Sequence, residues 1–347
     1  MKALVYNGPG KPDWEDKPRP TLLARTDAIV AIRRTTICGT DLHILKGDVP
    51  EVPKGLILGH EGVGVVNQVG AGVTKFVVGD KVLISCITSC GKCDACRKGM
   101  YSHCEFGGWL LGHTIDGTQA EYVRIPFADT SLYHVPKGAD EDALVMLSDI
   151  LPTGYECGVL NGDVKPGDTV AIIGSGPIGM AALLTAQFYS PAEIIMVDPD
   201  MNRLETARKL GATRLVHNVH DNAVADIMAL TDGNGVDVAI EAVGIPATFD
   251  ICQKIIAAGG HIANVGVHGK SVELHLEELW SRNITITTRL VDTISTRMLL
   301  RTVTSGKLKP EQLITHHFPL TDILKAYDTF SNAAREKALK VILTNGD

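Results

Sequence analysis

Cys90, Cys93, Cys96 and Cys104 lie in one short stretch, as two overlapping C-x-x-C steps and a fourth thiol eight residues further on. Thiolates two residues apart turn readily onto one tetrahedral ion at Zn–S distances of about 2.3 Å, and four of them fill the shell. Such a shell leaves no position for water, so the lobe predicts a structural zinc site. An iron–sulfur cluster is the rival occupant. Lys92, Arg97 and Lys98 would soften the repulsion among the thiolates. Eight cysteines in a chain of 347 residues, half of them clustered, fit metal in a reducing compartment better than a disulfide framework.

A second, looser set could hold a catalytic ion. Cys38 stands in Ile37-Cys38-Gly39-Thr40-Asp41-Leu42-His43, and His60 in Gly59-His60-Glu61-Gly62. Taken singly, a lone cysteine is usually a small core residue and a lone histidine a structural one. A third ligand is offered by Asp149, in Ser148-Asp149-Ile150-Leu151-Pro152-Thr153. Thiolate, imidazole and carboxylate around one open position make a shell of the catalytic type, in which zinc lowers the pKa of a bound oxygen acid. Thr40, two residues after Cys38, brings a hydroxyl close to this set.

A third pattern suits a dinucleotide. Gly174-Ser175-Gly176-Pro177-Ile178-Gly179 follows the apolar run Val170-Ala171-Ile172-Ile173 and leads into a helical stretch at 177–188. In a strand-turn-helix setting Gly174 makes the tight turn, Gly176 admits pyrophosphate and Gly179 lets the helix pack on the strand. Pro177 and Ile178 open the helix, whose N-terminus offers free N–H groups to phosphate. Nineteen residues after Gly179, at the end of the run Ile194-Ile195-Met196-Val197, Asp198 is placed as the ribose-binding acid, and Arg203 follows five residues on. A carboxylate there favours NAD over NADP, because it repels a 2′-phosphate.

The elements that must carry these groups divide the chain. Short β-like runs at 28–32, 64–69, 81–85 and 120–125, punctuated by Gly, Pro and Asp, predict an irregular β domain. From residue 169 apolar runs at 169–173, 194–197, 236–240 and 261–265 alternate with helical stretches such as 203–210, the pattern of a parallel sheet with helices on both faces. The tail carries helical stretches at 296–305 and 321–332 and a strand at 338–343; it could rejoin the first domain, which periodicity does not decide. With 45% hydrophobic residues the chain can fill two cores, and a net charge of -7 argues against nucleic acid or an anionic membrane as partner. No apolar run approaches the roughly eighteen residues of a membrane span, so the expectation is a soluble, cytoplasmic protein that acts on small molecules.

Cys38-Gly39-Thr40-Asp41, Gly59-His60-Glu61, Gly79-Asp80-Lys81-Val82, the four-cysteine lobe and the nucleotide pattern occur in one order along nearly the whole chain. Together they resemble the zinc-containing medium-chain alcohol dehydrogenases, and more closely their bacterial secondary-alcohol branch. The resemblance implies an α/β protein with a GroES-like irregular β catalytic domain, residues 1–149 and 290–347, and a Rossmann doubly wound domain, residues 150–289. It implies catalytic zinc on Cys38, His60 and Asp149, since the branch uses an aspartate four residues before a Thr-Gly pair. Glu61, which swings onto zinc in some members, is an optional fourth ligand. Two zinc ions per chain and NAD are the implied cofactors.

By the same resemblance Thr153, Gly266 and Val267 meet the nicotinamide end, and the alcohol proton leaves Thr40 over the cofactor ribose to His43. Trp109, Leu110 and Leu290 are implied walls for a small, secondary alcohol and its ketone. A homo-oligomer, tetramer rather than dimer, is implied too. Polyol, threonine or formaldehyde oxidation are alternatives within the family; a non-catalytic nucleotide binder is disfavoured, because all three zinc ligand positions and Thr40 are present. Arg289 departs from the branch, which usually places a small residue there.

Overall fold

The computed structural model describes residues 1–346 and divides into two compact units, Met1–Asp149 with Asp292–Asp347, and Ile150–Val291. In the first unit a seven-stranded sheet runs in the order Ile314–Pro319, Lys340–Thr344, Ala28–Thr36, Gly62–Val69, Lys81–Ile84 and Leu132–His134, with Tyr122–Ile125 also paired to Ala28–Thr36. The tail therefore does rejoin the first domain, with Lys340–Thr344 antiparallel to the end of Ala28–Thr36. A smaller sheet pairs Pro12–Asp16, Lys2–Tyr6 and Leu56–Ile57.

Ala28–Thr36 alternates imperfectly because its pairing with Gly62–Val69 shifts register twice, between Ile29 and Val30 and between Ile32 and Arg34. Such irregularities bend a strand and re-aim its side chains. One core gathers Val30, Ile32, Val66, Ile84, Val123 and Ile125; another gathers Leu4, Ile37, Ile44, Leu58, Tyr327 and Val341. At about 1.5–3 kcal/mol for each large apolar side chain buried, these two cores hold the loops that carry Cys38 and His60.

The second unit is a six-stranded, wholly parallel sheet in the order Arg214–His217, Glu193–Asp198, Thr169–Ile173, Val236–Glu241, Ile256–Asn264, Thr285–Thr288. This order reverses beside Thr169–Ile173, the switch point at which such sheets bind ligands beyond the carboxyl ends of their strands. Helices Pro177–Ala186, Met201–Lys209, Ala223–Leu230 and Pro246–Ile255 connect the strands. The expected helix at 177–188 ends at Ala186 and tightens into a 3₁₀ turn, Gln187–Tyr189. Nothing in the sequence pointed to the π-helix Gly154–Leu160. No helix among the described residues is long and apolar enough to cross a membrane.

Candidate active site and nucleotide loop

Three separate elements bring one ligand group each to the same place in the first unit. Cys38 caps the helix Gly39–Lys46, its backbone N–H donating to Asp41 Oδ2 at 2.9 Å. His60 and Glu61 stand just before the strand Gly62–Val69, and Asp149 follows the helix Glu141–Val145. His60 Nε2 lies 3.2 Å from Asp149 Oδ2, and Cys38 Sγ 3.7 Å from the same oxygen. One ligand atom from each of Cys38, His60, Glu61 and Asp149 lies within 4.8 Å of the others, and all four residues are buried. The structure thus gathers the three expected ligands and Glu61.

The chemistry of this set fits a cation. A thiol, an imidazole and two carboxylates crowd a volume shielded from water, where unpaired negative charge is costly. Burial opposes a charged His60, yet hydrogen bonds to Asp149 and Cys38 outweigh it and hold its pKa well above the usual histidine value. Glu61 Oε1 is buried without a hydrogen-bond partner among the described residues, while Oε2 accepts from Lys340 Nζ at 2.6 Å. Sulfur, nitrogen and oxygen donors in this mixture suit zinc.

The four-cysteine lobe is equally compact. Its sulfur atoms lie within 4.8 Å of one another, with Cys90 to Cys96 and Cys93 to Cys104 both at 4.0 Å. Backbone N–H groups of Cys96 and Glu105 lower the Cys93 thiol to about 6, and burial pushes Cys96 up to about 12. Pre-aimed amides and a ready thiolate are what a four-sulfur metal site requires.

In the second unit Gly174 takes φ 104°, a left-handed turn closed to most side chains, and Gly176 caps the helix whose first residue is Pro177. Ile178 follows it, half-buried, in the first turn. A Cβ on Gly179 would stand 1.8 Å from Gly174 O, so the helix approaches the strand only with glycine there. Asp198 is buried; its Oδ2 accepts from Ser175 N–H at 2.7 Å and its Oδ1 from Asp200 N–H at 2.8 Å. Arg203 leans over the loop, with Nη1 3.9 Å from where a Gly176 Cβ would be. Arg203 Nε and Ser175 Oγ are buried without hydrogen-bond partners among the described residues. Orphaned donors around a glycine cradle fit the phosphates and ribose of a dinucleotide.

Sequence models of the alcohol dehydrogenase GroES-like domain and of the zinc-binding dehydrogenase match residues 24–137 and 177–304. The apo form of zinc dependent alcohol dehydrogenase 2 from Streptococcus pneumonia superposes with a TM-score of 0.96 at 59% identity, over 100% of this chain and 99% of that one. An alcohol dehydrogenase of Cupriavidus necator is 37% identical over 99% of this chain and 98% of its own. The chain belongs to the zinc-containing medium-chain alcohol dehydrogenases. A further relative, 32% identical over 99% of both chains, is the NADP-dependent isopropanol dehydrogenase of Thermoanaerobacter brockii.

In this dehydrogenase Thr40 and His43 are three residues apart on the helix Gly39–Lys46 and share a face. Thr40 Oγ1 lies 3.7 Å from Cys38 Sγ, and His43 Nδ1 lies 2.9 Å from Asp48 Oδ2 in reach of solvent. Trp109 stands edge-on to His60 at 6.3 Å between centroids and stacks on His113 at 4.1 Å. Leu110 follows Trp109, half-buried, while Leu290, Thr153, Gly266 and Val267 belong to the second unit. Val267 and Leu290 are exposed there. A Cβ on Gly266 would meet Gly244 N at 2.2 Å and Glu241 Oε2 at 2.3 Å.

Sequence reasoning missed three groups: Lys340, fully buried against Glu61; Cys86, whose Sγ lies 3.7 Å from Asp149 Oδ1; and Asp48. For Lys340 a signal existed, since a lysine inside the apolar run Ala338-Leu339-Lys340-Val341-Ile342 demands an acid partner.

Proposed function

We propose that this dehydrogenase oxidises small secondary alcohols to ketones, and reduces the ketones, with NAD as its nicotinamide cofactor and with catalytic zinc on Cys38, His60 and Asp149. The observation that carries the reading is the convergence of these three residues, with Glu61, in one buried cluster within 4.8 Å. Zinc supplies a Lewis acid that brings the pKa of an alcohol hydroxyl towards neutrality, and the nicotinamide supplies the hydride acceptor.

The remaining work falls to the chain. Thr40, close to the Cys38 thiol, takes the alcohol proton on its hydroxyl and passes its own onward; His43, one turn along the same face, hands it to water. Trp109 closes one side of His60 and keeps water from that face of the site. Asp198 accepts the ribose hydroxyls of NAD, having lone pairs left after its two backbone hydrogen bonds. The secondary-alcohol reading draws support from the isopropanol dehydrogenase relative; that protein's NADP dependence is its own, and the buried Asp198 supports NAD here.

Steady-state kinetics on 2-propanol, 2-butanol, ethanol and a polyol, each with NAD and NADP, test the reading. Secondary alcohols should lead in kcat/KM, in a graded series, because an apolar wall discriminates by only about 1–3 kcal/mol per methylene. A hundredfold advantage of ethanol over both secondary alcohols overturns the substrate assignment.

A further inference from the structure

Asp149 has two oxygens, and they face different neighbours. Oδ2 points into the cluster, 3.2 Å from His60 Nε2 and 3.7 Å from Cys38 Sγ. Oδ1 is 3.7 Å from the sulfur of Cys86, a residue outside the ligand set and buried. Hydrogen bonds hold Cys86 in this place. Its backbone N–H donates to Ser148 O at 3.1 Å, which stitches residue 86 to the residue just before Asp149. Ser148 Oγ in turn accepts from Gly62 N–H at 3.1 Å, two residues after His60. Between the two groups the thiol is the donor and the carboxylate oxygen the acceptor.

We propose that Cys86 is a positioning residue for the metal site: its S–H donates to Asp149 Oδ1, so that Asp149 meets the ion through Oδ2 alone. A carboxylate ligand turned loose can swing both oxygens onto the metal and take up coordination positions that substrate needs. Donors to the non-ligating oxygen prevent this, and removing such outer partners costs about 10–100-fold in metal affinity or activity. A thiol suits the role because it is a weak donor, which fixes the carboxylate without withdrawing much of its charge from the metal. The inference rests on Asp149 being a zinc ligand.

The test uses the full chain with the four-cysteine site loaded, so that retention of this first metal equivalent reports an intact fold. Zinc affinity of the second equivalent is measured by competition with a chromophoric chelator, and the visible spectrum is recorded after cobalt(II) replaces zinc there. Cys86→Val fills the space without a donor and should lose tenfold or more in affinity, with cobalt bands shifted and weakened towards higher coordination. Cys86→Ser keeps a donor and should stay within threefold of wild type, with an unshifted spectrum. If Val matches wild type in both readouts, or if Ser fails as badly as Val, the hydrogen bond has no role and the inference falls. Asp149→Asn separates the two claims. If that variant keeps wild-type affinity, the ligand assignment itself is wrong; if it loses the second metal while Cys86→Val keeps it, only the role of Cys86 is overturned.

Discussion

Lys340 Nζ lies 2.6 Å from Glu61 Oε2, with both side chains buried, so that the last strand of the chain is tied by charge to the residue beside His60. Lys340 Nζ also lies 3.3 Å from Ile37 O, the carbonyl preceding Cys38. One ammonium thus reaches two of the segments that build the metal cluster. Burial pushes the Glu61 carboxyl up, and the Lys340 ammonium draws it back.

Breaking this pair leaves a buried carboxylate without its counter-charge, a loss of about 3–5 kcal/mol. Lys340→Met should therefore unfold at lower urea than wild type, and Lys340→Met combined with Glu61→Gln should regain much of the loss, since no charge then stays unpaired. Equilibrium unfolding of both variants measures it. A Lys340→Met protein as stable as wild type would mean that water reaches Glu61.

The two metal sites should behave unequally. Four thiolates would close one tetrahedral shell, whereas three ligands from Cys38, His60 and Asp149 would leave one position of the other open to substrate. Limited chelation should abolish activity before the far-ultraviolet dichroism changes, with one zinc lost per chain. Asp149→Ala should stay folded and lose activity by several orders of magnitude, while Cys93→Ser should lower expression and melting temperature. Full activity in metal-free Asp149→Ala protein contradicts the site.

Much of this arrangement was legible in the chain, for identifiable reasons. The strand run Val170-Ala171-Ile172-Ile173 is buried on both faces, so it reads as continuous apolar sequence, and the glycines after it mark the turn. The C-terminal strand was legible as a strand but not as a member of the first sheet, because apolar alternation is the same whichever sheet a strand joins. Cys86, in Ile84-Ser85-Cys86-Ile87, looks like any core cysteine until Asp149 is placed beside it. Arg203 was legible as a basic residue near the cofactor, whereas its place over Gly176 is seen only in the fold.

Acid should weaken the first unit through Glu141. Burial works against its charge, but Lys81 Nζ at 2.7 Å and Arg33 Nε at 2.9 Å prevail and hold its pKa below the ordinary 4.5. A carboxyl lowered by folding stabilises above its unfolded pKa, and this contribution is lost as pH falls through the folded value. Wild type should therefore lose stability below about pH 4.5. Glu141→Gln should be less stable at pH 7 and show a shallower decline in that acid range, as read by urea midpoints at several pH values. An equally steep decline in the variant would assign the acid limb to other carboxylates.

Cofactor choice turns on Asp198 and Arg203. A carboxylate facing the 2′-phosphate of NADP repels it, and unit charges about 4 Å apart interact by roughly 4 kcal/mol at an effective dielectric of 20. Arg203 opposes this, since it already stands over the loop at Gly176 and needs no large movement to meet a phosphate. Its tie to Asp200 Oδ2, at 4.0 Å, is loose. The carboxylate should prevail, being buried and fixed by two backbone N–H groups, whereas the guanidinium is about a third exposed and more screened. We expect NAD to lead NADP by about a hundredfold in kcat/KM. Asp198→Gly removes the charge and also both loop hydrogen bonds, so it should lower activity with NAD as well as relieve NADP. Asp198→Asn is the cleaner variant, because its amide oxygen still accepts one N–H while the charge is gone; it should cut the preference by tenfold or more, chiefly by improving NADP. Arg203→Ala in the Asp198→Asn background should then remove the gain. Equal use of both cofactors by wild type, or an unchanged ratio in Asp198→Asn, would show that the ribose lies elsewhere.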